Sequence, residues 1–369
     1  MRHPPIQLDA AAGLPIWPEL AAEYPELSRQ YGWNPHGLTC YAEDCRRALL
    51  TAERTLLELC GLTIDEASVV WCATGTEAVN LALRGFPWPS GDSALAVDAG
   101  AHPALSATAQ DLSSHPRREF GVQSDGSVTP GSSLAGIKLA ALSLVNNETG
   151  TIWNGDRSVF PPDCRILLDG CQAFGKHELP KNSFDLLAVS SRKIGGPATG
   201  AALVFRKSLK LNPVVTGGGQ QGGIRSGTLD TVSILLFVKA AEQVCHAREE
   251  NWQKVSLLNQ QLREGLARLG EGRWPIFSPT NASPYICYFA IPGCQGAIVA
   301  RILAEKYHIL VGTGSACAAE STHTSPVLKA MGVPSDLARS AIRISICGRN
   351  TYDEIKEFLD VLPKVLADY

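Results

Sequence analysis

The sequence predicts an α/β protein: a mainly parallel sheet covered by helices, with a smaller C-terminal α/β domain. Three observations carry this expectation. Short apolar runs alternate with amphipathic helical stretches along most of the chain. Hydrophobic residues make up 45% and charged residues 19% of it, the balance of a folded globular protein. The 369 residues exceed the roughly 250 to 300 at which a single core stops growing, so two domains are expected.

Taken in order, Val69 to Cys72, Ala94 to Val97, Leu139 to Val145, Ile166 to Asp169, Leu186 to Ser190 and Ala201 to Phe205 are short and apolar, as strands buried on both faces are. Glu77 to Arg84 reads as a helix directly after the first of them, with Thr76 as N-cap and Gly85 just past its end. This βα alternation points to a parallel sheet, in which ligands sit beyond the carboxyl ends of the strands. The glycine-rich stretches Gly195 to Gly200 and Gly217 to Gly227 interrupt the pattern. A single long helix over about Asp230 to Leu269 is then expected to bridge to the second domain. Beyond it, strands over Tyr285 to Ile291 and Ala341 to Ile346 alternate with helices over Gln295 to Tyr307 and Tyr352 to Leu366. The expected division is a large domain of residues 15–245 and a small one of residues 1–14 with 246–369.

Composition excludes several classes of function. The formal net charge is -3, from Lys+Arg 33 against Asp+Glu 36, and no basic run could neutralise a string of phosphates, so nucleic acid is not an expected partner. No apolar stretch has the roughly 18 to 20 residues of a membrane helix. Met1 to Gly13 carries prolines and Asp9 where a signal peptide needs an apolar core, so a cytoplasmic location is expected. The 11 cysteines form no CxxC pair and the 8 histidines no zinc-type cluster, which predicts reduced thiols and no metal site.

Several side chains stand where chemistry is expected. Lys193, in Ser190-Ser191-Arg192-Lys193, follows a strand and precedes a glycine-rich turn, the place for a Schiff-base lysine or for a solvated loop lysine. Asp169 ends another strand, either to pair with a protonated ring nitrogen or as an ordinary turn aspartate. Gly75 and Thr76 lie in a strand-to-helix turn that serves equally as an anion site and as a cap. Cys317 lies among small residues, Gly312 to Ala319, as an accessible thiol or one more buried cysteine. His102 is placed to stack on an aromatic cofactor, to move protons, or simply to face solvent. Arg343 interrupts an apolar strand and needs an anion there, a substrate carboxylate or an internal acid, unless it faces solvent from an edge.

In their order these segments resemble the cysteine desulfurases, in the class V aminotransferase group of fold type I pyridoxal-phosphate enzymes. The resemblance runs from Leu8-Asp9-Ala10-Ala11-Ala12 through Asn34-Pro35, Ala73-Thr74-Gly75-Thr76-Glu77, Val145-Asn146-Asn147-Glu148-Thr149-Gly150 and Leu168-Asp169-Gly170-Cys171-Gln172. It continues through Gly217-Gly218-Gly219, Arg225-Ser226-Gly227-Thr228, Gly314-Ser315-Ala316-Cys317 and Ile342-Arg343. It implies pyridoxal 5'-phosphate on Lys193, Asp169 at the ring nitrogen, and Gln172 and Asn147 on the ring-oxygen side, with Asn147 also near the substrate. His102 would stack on the ring, and Gly75, Thr76, Ser190 and Arg192 would hold the phosphate. Thr228 would reach the phosphate of a second subunit in a homodimer, and Arg343 would bind the carboxylate of L-cysteine. Cys317 would take the sulfur as a persulfide, leaving alanine, for transfer to an acceptor protein of the kind that serves iron–sulfur cluster assembly.

The chain departs from the family at three places: Arg192 stands where histidine is usual, Gly217 to Gly222 lacks the usual acid after the glycines, and Pro35-His36-Gly37-Leu38 lacks the usual hydroxyl residues. It also ends at Tyr369, directly after a helix, without the tail with which many relatives dock a scaffold protein. The housekeeping iron–sulfur scaffold is therefore expected to bind weakly or not at all, and any acceptor to approach the Cys317 loop. The alternatives are a selenocysteine lyase or another class V lyase or aminotransferase, or a desulfurase homologue that has become a partner-binding or regulatory protein.

Overall fold

A computed structural model describes residues 4–91, 93–129, 134–313 and 325–369. The strands are β1 (Ile6–Leu8), β2 (Ala67–Cys72), β3 (Ala94–Asp98), β4 (Arg117–Val122), β5 (Val128–Thr129), β6 (Ile137–Ser143), β7 (Arg165–Asp169), β8 (Leu186–Ser190), β9 (Ala201–Arg206), β10 (Ile286–Ala290), β11 (Ile309–Val311) and β12 (Ala341–Ser345). The helices are α1 (Pro18–Tyr31), α2 (Cys40–Leu59), α3 (Gly75–Arg84), α4 (Pro103–Asp111), α5 (Thr231–His246), α6 (Arg248–Leu269), α7 (Gly296–Tyr307), α8 (Pro326–Ala330), α9 (Ser335–Arg339) and α10 (Tyr352–Ala367).

Eight strands form the main sheet in the order β2-β9-β8-β7-β6-β3-β4-β5. Strands β8, β7, β6, β3 and β4 run parallel, as expected. Strand β9 is antiparallel to both its neighbours, β2 and β8. The reason lies in chain length: residues 191–200 between β8 and β9 are too few for the crossover helix that a parallel return requires. Because β2 and β8 both oppose β9, β2 points the same way as the parallel set. The carboxyl ends of β2, β3, β6, β7 and β8 therefore share one edge.

Each face of the sheet is covered. Alternate residues of β7 and β8 point to opposite sides, so Ile166, Leu168, Leu187 and Val189 join a core with Leu20, Leu56 and Phe237 from α1, α2 and α5. Leu167 and Leu186 face the other way, toward Val79, Leu83 and Leu105 from α3 and α4. A strand buried on both faces has no polar side to display, which is why these runs read as continuous apolar stretches. Each fully buried leucine or isoleucine stabilises this arrangement by about 2 kcal/mol.

Two expectations of detail are corrected. The long helix is two: α5 begins at its cap Asp230, whose side chain accepts from the Ser233 N–H, and the helix breaks at Ala247 before α6. The helix after β2 starts at Gly75, and its N-cap is Thr74, which accepts from the Glu77 N–H, while Thr76 lies in the first turn. Elsewhere, β1 pairs in parallel with β11, and β10 pairs antiparallel with β12. Among the described residues no helix is long and apolar enough to cross a membrane.

Candidate active site

The shared strand edge carries the candidate residues. Asp169 is the last residue of β7, and its carboxylate accepts from the Cys171 N–H at 3.0 Å. Lys193 ends a short turn directly after β8. The next turn is possible only with glycine at 195, where φ is +76° and a Cβ would come within 2.1 Å of the Trp17 ring. His102 follows β3 and caps α4, its Nδ1 accepting from the Ala104 N–H at 3.1 Å. A ring nitrogen that accepts carries no hydrogen, so the neutral ring has its proton on Nε2.

The N-terminal stretch ties these elements to the C-terminal ones. The carbonyl oxygen of Ala11 accepts from both Gln172 Nε2 and Lys193 Nζ at 2.8 Å, and Ala12 O takes a second bond from Lys193 at 2.8 Å. Asp9 pairs with Arg343 at 2.7 Å, and Arg343 also donates to Asn147 O at 2.8 Å. Of the three readings open for Arg343, the internal acid is the one present, and the residue is only 3% exposed. Its Nε has no partner among the described residues. The backbone N–H of Ala11 donates to Ser345 Oγ at 2.9 Å, fixing the stretch against β12.

Charge and burial set the protonation of the cluster. Burial holds the Lys193 amine below the ordinary lysine range, and the cationic Arg343 and Arg192 push the same way against Cys171 and Asp169. Burial likewise lowers the His102 imidazole, opposed by the Asp169 carboxylate and assisted by Lys193 and Arg343. Lys193, Asp169 and Arg343 thus all lie close enough to His102 to act on its charge.

The N-terminus of α3 stands beside them. Gly75 and Thr76 occupy the first turn of α3, where backbone N–H groups have no partner within the helix. A Cβ at Gly75 would come 2.6 Å from Cys171 Sγ and 3.5 Å from Ser190 Cβ, so the bare backbone packs directly on the ends of β7 and β8. Ser190 is buried, whereas Thr76 and Arg192 are exposed. Glu77 fastens this turn, accepting from the Ala73 N–H at 2.6 Å and from Arg225 Nε at 2.8 Å. Thr228, three residues past Arg225, lies on the surface apart from the buried cluster.

Cys317 lies in residues 314–324, outside the described ones. The chain on either side of them is held at the site. Gly312 exchanges two backbone bonds with Arg343, at 2.9 and 2.7 Å. Ser325 donates its hydroxyl to the buried Glu148, whose carboxyl is pushed up to about 7 by burial, against the pull of the Ser325 bond and the Arg343 charge. Asn146 shapes the neighbouring turn, donating to Gly100 O at 2.9 Å and accepting from the Glu148 and Thr149 N–H groups.

Of the residues expected from the sequence, Lys193, Asp169 and Arg343 lie near His102, Gln172 shares Ala11 O with Lys193, and Asn147 meets Arg343 through its carbonyl oxygen. The roles of Asp9, Ala11, Ala12 and Glu148 carried no distinct signal, because three act through backbone carbonyls or a distant ion pair and the fourth through a buried hydroxyl contact.

The comparisons with known proteins agree with this geometry. The family model described as Aminotransferase class-V matches residues 6–358. A cysteine desulfurase from Cereibacter sphaeroides is 31% identical, covering 98% of this chain and 95% of its own. A second, from Gluconacetobacter diazotrophicus, is 30% identical over 94% of this chain and 90% of its own. A solved structure titled NifS-like protein superposes with a TM-score of 0.89 at 24% identity, over 99% of this chain and all of the other, which establishes the fold. The chain belongs to the class-V aminotransferase family, together with the cysteine desulfurases.

Proposed function

We propose that this chain removes sulfur from L-cysteine with pyridoxal 5'-phosphate held at Lys193, leaving alanine and a persulfide on Cys317. The observation that carries the reading is the Asp9 to Ala12 stretch, which holds a half-buried amine, an amide and a guanidinium together.

The residues fit the cofactor. Its phosphate suits the N–H groups of Gly75 and Thr76, the Ser190 hydroxyl and the Arg192 cation. Asp169 suits a protonated ring nitrogen, Gln172 and Asn147 the ring-oxygen side, and His102 a face of the ring. When bound, pyridoxal phosphate supplies an aldehyde for an amine and a ring that stabilises negative charge on the adjoining carbon. The residues then divide the remaining work. Lys193, kept below its ordinary pKa by burial, is available as a neutral amine that takes and returns a proton at Nζ. His102 offers a proton at Nε2. Arg343 is the cation for the substrate carboxylate, with Asp9 and Asn147 O holding its guanidinium in place. The Cys317 sulfur attacks the substrate sulfur, whose bond to carbon breaks, so the thiol leaves as a persulfide and not as free sulfide.

Arg192 in the place of the usual histidine supports phosphate binding, because a guanidinium offers several donors. The exposed Thr228 would serve the phosphate site of a partner subunit, which makes the working unit a homodimer in the cytosol, with a sulfur-acceptor protein as its client. The β1–β11 pairing and the Ala11–Ser345 bond support a small domain of residues 1–14 and 246–369 against a large one of 15–245.

The test is to react the cofactor-loaded protein with L-cysteine and read Cys317 by mass spectrometry. We expect a mass increase of one sulfur on the Cys317 peptide, and Cys317→Ser should bind cysteine without forming it. Undiminished sulfide release from Cys317→Ser would instead point to a lyase.

A further inference from the structure

A cavity of about 310 Å³ opens beside Lys193. Of the residues assigned above only Lys193 reaches it; His102, Asp169 and Arg343 do not line it. Leu14, Trp17, Ile194 and Val244 give it apolar wall. Polar side chains also line it, among them Glu19, Gln243, Asn251 and Arg349, and two of the polar groups, Lys176 and Tyr285, are buried and poorly partnered. Lys176 is 7% exposed, and among the described residues its only bond is a long one, 3.5 Å to Gln172 Oε1, with the ammonium 5.7 Å from the Tyr285 ring centroid. Tyr285 is 3% exposed, and its hydroxyl has no partner among the described residues.

A buried ammonium without a counter-charge is costly, and so is a buried hydroxyl without a partner. One group offsets both: an oxygen anion that accepts from Lys176 and from Tyr285. Arg349 does not compete for it, because that guanidinium is already paired with Glu19 and lies 3.9 Å from the Trp17 ring centroid, forming part of the wall. Lys193 is already held by Ala11 O and Ala12 O, so among the described lining residues one unpaired cation and one hydroxyl remain, and these suit a single carboxylate better than a phosphate, which draws several charged donors. The volume is at the small end of ligand cavities, and the apolar walls call for a hydrocarbon body.

We infer that this cavity binds a small organic anion, one carboxylate on an apolar chain or ring, held by Lys176 and Tyr285 next to Lys193. Burial lowers the Lys176 amine to about 8, and a bound carboxylate needs it protonated, so affinity holds below that pH and falls as pH rises through it.

The probe is hexanoate, titrated into the cofactor-loaded protein while tryptophan fluorescence and heat are recorded. We expect saturable binding of one hexanoate per chain, weakening as pH rises past 8. Lys176→Met, which keeps the buried volume without the charge, should weaken it about tenfold or more. Tyr285→Phe, which removes only the hydroxyl, should weaken it several-fold, and it decides the matter if circular dichroism shows Lys176→Met to be misfolded. Excess L-alanine should not displace the probe. No saturable binding, unchanged affinity in Tyr285→Phe or in folded Lys176→Met, or displacement by L-alanine would each overturn the assignment, the last by placing hexanoate at Arg343.

Discussion

Ala11 has no functional side chain, yet its carbonyl oxygen accepts from both Lys193 and Gln172. Backbone acceptors leave no mark in a sequence, so the hub of the site could not be read from it. Lys193, Asp169 and Arg343 were given roles only by the family resemblance, because a charge at a strand end reads equally well as a solvated lysine, a turn aspartate or an internal ion pair. Glu148 shows the limit of such reading: only the fold reveals that it is buried and bonded to Ser325. Burial raises its carboxyl from 4.5 to about 7, so the folded protein holds this proton more tightly than the unfolded chain. The stability it contributes is full below 4.5 and lost as pH rises through 7. The full swing is about 3 kcal/mol at most. Glu148→Gln cannot ionise, and its melting temperature should vary less with pH across this window than that of the native protein; an unchanged pH slope would contradict the assignment.

Strands and helices were legible to the extent that one physical signal dominated. Apolar runs gave β2, β3, β6, β7, β8 and β9 to within a few residues, because burial on both faces leaves a continuous apolar stretch. The direction of β9 was not legible, since it depends on the length of a connection rather than on the strand's own residues. The start of α3 was misplaced because Thr74 and Thr76 are equally good caps on composition, and only the backbone distinguishes them. The break between α5 and α6 at Ala247 has no glycine or proline to announce it. One buried polar residue aligns the strands that carry the site. Asp185, just before β8, is 5% exposed and accepts from Arg157 at 2.9 Å, Arg165 at 2.8 Å and the Ile166 N–H at 2.9 Å. Asp185→Ala strands two guanidinium groups and an N–H, and should cost about 3 kcal/mol or more in urea unfolding. A loss under about 1 kcal/mol would show that water replaces the carboxylate without penalty.

For the whole molecule, the edge shared by β2, β3, β6, β7 and β8 meets the N-terminal stretch and β12 around a single space, so the chemistry depends on segments far apart in sequence. In the proposed function Thr228 would extend this dependence to a second copy of the chain. If it completes the partner's phosphate site, the protein is a homodimer in solution, and Thr228→Ala should weaken cofactor binding without altering the fold; an active monomer by light scattering would exclude this. The central claim is the conversion of L-cysteine itself. The most direct measurement incubates the purified, cofactor-loaded protein with L-cysteine and a thiol reductant and follows alanine and sulfide together, with Lys193→Ala as the blank. Equal amounts of the two products are expected from the native protein and none from the blank. Bound cofactor with neither product would contradict the claim and mark the chain as a desulfurase homologue that binds without turning over.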